Sequence, residues 1–315
     1  MTTTTPVRIA LAAAGVLLAA LLGADGAVRA AQLNADAVDV RILPVQGNVY
    51  MLVGAGGNVT VQVGDDGVVV VDTEFEPLVP KLMAAIRTLS DKPIHTIINT
   101  HVHADHTGGN AALQTFGSGG RQARVIAHEH VLRRMMSSPD YVPNSQAGLP
   151  LSTYFTPTRD IHLNGEAIVL HHAPAAHTDG DTLVMFRGSD VISVGDVFSP
   201  DAYPVIDLQN GGSVQGLIDA ANLILSLTVP AQFQQGGTYV VPGHGRLCDE
   251  AEVVEYRDML VIIRDRVQDL IDRGMTVDQV QAERPSRDYD TEYGSETGFW
   301  TTSMFVEAVY RSLAR

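Results

Sequence analysis

Apolar residues in the first part of the chain fall into short alternating or continuous runs, the pattern of strands rather than helices. Between Val38 and Val71 these are Val45 to Val53, then Val59 to Val63 with period-two alternation, then the continuous run Val68 to Val71. Gly54-Ala55-Gly56-Gly57 and Gly64-Asp65-Asp66-Gly67 separate them, so an antiparallel meander is predicted. Leu78, Leu82, Ile86 and Leu89 share one helical face and predict a helix from Leu78 to Leu89. A strand from Ile94 to Asn99, a short helix from Gly108 to about Phe116 and a strand from Arg124 to Ala127 follow. Ser137 to Arg159 is polar and has no period; it reads either as a lid over a site or as a surface insertion.

Strands resume at Ile161 to Leu163, Ile168 to His172, Thr182 to Phe186 and Val191 to Val194, with Asn164-Gly165 and Arg187-Gly188 at hairpin turns. Val214 to Leu227 reads as a helix and Thr238 to Val241 as a last strand. Asp249-Glu250-Ala251-Glu252 has the form of a capping box. The helix it opens carries Val253, Tyr256, Leu260, Ile263, Val267 and Leu270 on one stripe and stops at Gly274. A further helix covers Trp300 to Leu313. Strands followed by mixed strands and helices, twice over, predict two sheets packed face to face with helices outside.

Residues 1–30 differ in composition from the rest. Arg8 is the only early charge, an apolar run follows from Ile9 to Leu22, and small residues close it at Val28-Arg29-Ala30-Ala31. That is the layout of a secretory signal peptide cleaved after Ala30. The apolar run is short for a membrane span, which needs roughly 20 residues, although an uncleaved anchor is the alternative. The expectation is one domain over residues 31–315, periplasmic or secreted, and free of the membrane once processed. Hydrophobic content of 45% supports a sizeable core. The net charge of -15, with Lys81 and Lys92 the only lysines, disfavours nucleic acid as a partner and leaves a small-molecule substrate. Cys248 is the single cysteine, so no intramolecular disulfide can form.

Chemistry concentrates between Ile97 and Asn110, where His101, His103, Asp105 and His106 follow one another closely. Neutral imidazole nitrogens and carboxylate oxygens are what zinc and similar ions bind. His101 and His103, two apart on an extended loop, can share one ion; Asp105 and His106, where the chain turns into a helix, can address a second. His177, Asp196 and His244 each sit at a strand end close to glycine, where sheet folds present functional side chains.

Taken together, His101-Val102-His103-Ala104-Asp105-His106, His177 before Thr178, Asp196 after Gly195, and His244 between Gly243 and Gly245 resemble the metallo-β-lactamase superfamily over about residues 40 to 250. The resemblance implies an α+β fold, a four-layer αββα sandwich, with a dinuclear site on one edge of the sheets. It also implies a ligand set: His101, His103 and His177 for one metal, Asp105, His106 and His244 for the other, and Asp196 bridging. Two divalent ions, zinc first and iron or manganese as alternatives, would turn a bridging water into hydroxide at neutral pH. Asp105 would bind metal and orient that nucleophile. Asp72, at the end of a core strand, reads either as a partner that fixes a ligand histidine or as a turn residue. Tyr203, in the loop after Asp196, is a candidate to reach substrate or to pack. His171 and His172 read as strand-end residues, and His95, His128, His130 and His162 as structural or surface groups.

Within the family the departures narrow the branch. Zinc β-lactamases of similar spacing carry Cys at the Asp196 position and Lys where this chain has Ser199. Asp196 with His106 resembles instead the glyoxalase II, lactonase and ester-hydrolysing members. The expected activity is hydrolysis of an ester, lactone, thioester or amide of a small molecule. A periplasmic β-lactamase, a mononuclear-iron persulfide dioxygenase and a non-catalytic accessory protein are the alternatives.

Overall fold

The computed structural model describes residues 33–138, 146–234 and 236–314. The expected signal segment, and residues 139–145 of the stretch read as a lid, lie outside the described residues. Two sheets form the centre. The first has seven strands in sequential order: β1 (Arg41–Gln46), β2 (Val49–Val53), β3 (Val59–Gly64), β4 (Gly67–Val71), β5 (Ile94–Ile98), β6 (Arg124–His128) and β7 (Ser152–Tyr154). Its first four strands are the expected antiparallel meander; from β4 onward the pairing is parallel. The second contains β8 (Thr158–Leu163), β9 (Glu166–Ala173), β10 (Asp181–Phe186), β11 (Val191–Gly195) and β12 (Tyr239–Pro242), in the order β12-β11-β10-β9-β8.

The helices are α1 (Val79–Leu89), α2 (Ala104–Thr107), α3 (Asn110–Leu113), α4 (Glu129–Ser137), α5 (Val214–Leu227), α6 (Glu250–Asp272), α7 (Val277–Glu283), α8 (Asp290–Tyr293) and α9 (Thr302–Leu313). Strand alternation decides the layering, because successive side chains point to opposite faces. Val68 and Val70 join α1 residues Leu82 and Ile86 in an outer core. Val69 and Val71 meet Val184 and Phe186 between the sheets. Leu183 and Met185, the alternate positions of β10, pack with Leu217 of α5, Leu260 of α6 and Phe305 of α9. Every layer is therefore apolar on the faces it buries, and the four-layer αββα sandwich is observed. Phe186 is fully buried between the sheets, and Phe186→Ala would cost about 3–5 kcal/mol.

Three local expectations are corrected. Val45 to Val53 is not one strand: Gly47 has φ +59°, a left-handed turn that any side chain would strain, and β1 folds back on β2 there. Part of the stretch read as a lid is an ordered edge, since β7 pairs with β6; three residues are too few for alternation to show. Helices α4, α7 and α8 were not expected, and α7 begins on its own capping box at Thr276.

The capping box at Asp249 forms as expected and starts α6, whose buried stripe is the predicted one. The fold brings one set of strand ends to a single edge. Asp72 follows β4, residues 99–106 follow β5, Asp196 follows β11 and His244 follows β12, while His177 lies in the loop before β10.

Candidate metal centre

All seven expected donors meet at this edge, in two groups: His101, His103, His177 and Asp196, and Asp105, His106 and His244, with the ligating atoms of each group within 4.8 Å of one another. Asp196 faces both. Its Oδ2 is 3.9 Å from His101 Nε2 and 3.8 Å from His177 Nε2, and its Oδ1 is 3.2 Å from His106 Nε2. Asp105 Oδ2 lies 3.2 Å from His244 Nε2 and 3.8 Å from His106 Nε2.

Which nitrogen of each ring faces the centre is set by what the other nitrogen does. His106 Nδ1 is 2.7 Å from Asp72 Oδ2 and donates to it. The Thr100 hydroxyl donates to the same oxygen at 2.7 Å, which leaves Thr100 Oγ1 to accept from His101 Nδ1 at 3.0 Å. His177 Nδ1 donates to the Val205 carbonyl at 2.7 Å. His103 is turned the other way: its Nε2 donates to Asp207 Oδ2 at 2.9 Å, so Nδ1 faces inward, 3.0 Å from His177 Nε2. The four rings thus turn unprotonated nitrogens toward two carboxylates.

Those inward atoms suit a cation and little else. His101 Nε2 and Asp196 Oδ1 are buried with no hydrogen-bond partner, a costly arrangement for polar groups. Burial works to raise the Asp196 carboxyl, yet His106, His244 and His101 hold it well below the usual carboxylate range. Burial opposes charge on His106 too, but Asp196, Asp105 and Asp72 raise its pKa well above the ordinary imidazole value. A divalent ion among these groups would satisfy the same field. The donor set fits zinc, iron or manganese.

Backbone approach is as tight as the side chains. A Cβ at Gly57 would lie 2.3 Å from His106 Cε1, and one at Gly243 would lie 1.9 Å from Asp196 Oδ1. The loop Gly54 to Gly57 is tied to the centre by Gly57 N–H to the Asp105 carbonyl at 3.1 Å and by Gly56 N–H to Glu74 Oε2 at 2.5 Å.

Asp72 turns the chain at φ +63° and also accepts from His106, one of the candidate donors. Tyr203 does not reach the centre. It is buried at 3% exposure, stacks on Phe305 at 4.3 Å and donates to the Ser286 carbonyl at 3.1 Å, so its role is packing. Sequence reasoning missed Asp207, Thr100 and Glu74. Only Asp207 left a trace, the Asp-Leu-Gln-Asn run whose carboxylate accepts from the Gln209 and Asn210 N–H groups in a local turn.

The sequence pattern of the metallo-beta-lactamase superfamily matches residues 52–244. Curated relatives include the alkyl/aryl-sulfatase BDS1 of Saccharomyces cerevisiae, 23% identical over 90% of this chain and 50% of its own length. The 2,4-dinitroanisole O-demethylase subunit alpha of a Nocardioides species is 28% identical over 52% of this chain and 48% of its own. The linear primary-alkylsulfatase of a Pseudomonas species is 25% identical over 68% and 47%. This chain spans about half the length of these relatives. Among solved structures, a double mutant of the sec-alkyl sulfatase PisA1 superposes with a TM-score of 0.69 at 16% identity, over 90% of this chain and 51% of that one. A metallo-beta-lactamase from Pontibacter korlensis superposes with 0.56 at 16%, over 70% of this chain and 99% of that one. Fold, donor set and pattern agree that this chain belongs to the metallo-β-lactamase superfamily.

Proposed function

We propose that this chain is an exported hydrolase that holds two divalent cations, zinc in preference to iron or manganese, and cleaves an ester of a small molecule. The observation that carries this reading is the commitment of the imidazoles: four ligand rings each spend one nitrogen on a protein partner and turn the other toward Asp105 and Asp196. Two ions are favoured over one because the Asp196 oxygens face both donor groups. Bound there, the ions would supply hydroxide from water at neutral pH and Lewis acidity at the scissile bond.

The chain's own residues do the rest. Asp105, its side chain 24% exposed, would bind metal and orient the nucleophile. His244, 47% exposed, marks the side from which a substrate enters. A cysteine route is disfavoured, since burial pushes the Cys248 thiol far up and its Sγ donates to the Arg246 carbonyl at 3.2 Å. Two relatives are named for alkyl sulfates and one for an O-demethylation. Those names favour oxygen esters, sulfate or carboxylic, over amides. Export rests on the composition of residues 1–30.

The test is a panel of alkyl sulfate, carboxylic ester, lactone, thioester and β-lactam substrates on zinc-loaded protein, with metal counted per chain. Two ions at the seven donors, beyond any bound elsewhere on the chain, and turnover of an oxygen ester are expected. Asp105→Asn should lower the rate by on the order of 100-fold or more. One iron per chain in the protein as purified, with oxygen consumption, would overturn the proposal, as would turnover by the zinc-loaded protein confined to β-lactams.

A further inference from the structure

Away from the seven donors, three more imidazoles lie together between the two sheets. His128 ends β6, His130 is in the first turn of α4 and His172 is near the end of β9. The rings of His128 and His172 stack at 3.6 Å with 8° between their planes, and His130 stands at 79° to His128 with centroids 4.8 Å apart. One nitrogen from each ring lies within 4.8 Å of the other two, the same span as in the catalytic groups. Among the described residues no hydrogen bond joins one ring to another. His130 Nδ1 and His172 Nε2 both approach the Asp179 main-chain oxygen at 2.9 Å, and His128 is 3% exposed.

Two stacked imidazoles disfavour charge on both rings at once, and a neutral imidazole keeps one unprotonated nitrogen that can bind a metal; that of His128 is Nδ1, which accepts only a long contact of 3.4 Å from the His130 main-chain N–H. We infer that His128, His130 and His172 form a further transition-metal site, separate from the hydrolytic centre, that takes zinc or another imidazole-preferring divalent ion. Three histidines are a common donor set for such ions. Because two lone pairs aimed at one point cannot lie in parallel planes, the ion opens the His128–His172 stack as it binds.

The placement suggests what the ion does. β6 and α4 belong to the first sheet's side and β9 to the second sheet, so an ion here staples the two together. The staple also bears on the hydrolytic centre, because Asp179 lies two residues beyond His177 in the loop before β10. Asp179 is itself gripped by Arg134 Nη2 at 2.8 Å.

The full chain, stripped of metal and dialysed against micromolar zinc, is compared with His172→Phe and His130→Gln by elemental analysis. Each variant is expected to hold one zinc fewer per chain than the wild type and to show a smaller zinc-induced rise in melting temperature. Equal zinc counts in wild type and variants would overturn the inference. Should His172→Phe fail to fold, His130→Gln, whose side chain is 29% exposed, decides the question alone. The difference between wild type and variant is the readout, so it holds whatever number of ions the hydrolytic donors take.

Discussion

Asp72 Oδ2 lies 2.7 Å from His106 Nδ1 and, at 2.7 Å, also takes the Thr100 hydroxyl that positions His101. One carboxylate therefore orients a histidine from each donor group. Asn at position 72 tolerates the left-handed backbone there, so Asp72→Asn isolates the lost acceptor from any strain. An amide nitrogen facing the imidazole N–H and the hydroxyl would set donor against donor and favour the wrong His106 tautomer. The expected result is a loss of about 10–100-fold in affinity for both ions together. Competition with a chromophoric chelator measures it; a loss confined to one ion would contradict the shared orientation.

Asp207 gives the contrasting case. Its carboxylate touches His103 alone among the donors, at 2.9 Å, and burial notwithstanding, that contact holds it well below the usual carboxylate range. Asp207→Ala is expected to weaken one ion by about 10–100-fold and leave the other near its wild-type affinity. Zinc titration followed by calorimetry should resolve a single altered step, and two altered steps would sink the prediction.

How much of this was legible beforehand follows from distance along the chain. The layers were readable because Val68 to Val71 and Thr182 to Phe186 alternate between two buried faces, a pattern each strand carries within itself. His101, His103, Asp105 and His106 were readable as candidate donors because they lie side by side in the sequence. Asp207 was not, since its partner His103 is 104 positions away and nothing local to either residue encodes the pairing. Tyr203 was placed in a loop near Asp196 by sequence, but Phe305 of α9 stacks on it from far along the chain. Gly47 hid a turn inside an apolar run because a left-handed φ leaves hydropathy unchanged.

Glu74 ties stability to pH in the metal-free protein. Burial raises its pKa from 4.5 to about 7, against the lowering effect of the Gly56 N–H it accepts. A carboxyl whose folded pKa is raised stabilises the fold fully below the unfolded value and loses that stabilisation as pH rises through the folded value. The advantage of wild type over Glu74→Gln should therefore fall by about 3 kcal/mol between pH 4.5 and pH 8. Urea unfolding of both proteins across that range, in the presence of a chelator, reads the difference, and a flat difference would refute the buried-acid account.

Gly243 and Gly57 let backbone lie against ligands where no side chain fits. An added Cβ at Gly243 would stand 1.9 Å from Asp196 Oδ1 and 2.7 Å from the Gly195 carbonyl carbon, so the Asp196 carboxylate must swing aside. The corresponding atom at Gly57 would meet His106 Cε1 at 2.3 Å, and His106 is fully buried with Asp72 behind it. Neither glycine needs a left-handed backbone, so the damage from Gly243→Ala or Gly57→Ala is steric and aimed at the centre. Gly243→Ala is expected to weaken both ions, because Asp196 faces both groups, whereas Gly57→Ala should chiefly weaken the ion served by His106, His244 and Asp105. Zinc at 1,000 times its dissociation constant stabilises a folded protein by about 4 kcal/mol. Most of the zinc-dependent rise in melting temperature should then disappear in Gly243→Ala and only part of it in Gly57→Ala. Equal rises in both variants and the wild type would show that the backbone yields at these positions and that the close approaches do not set the ligand geometry.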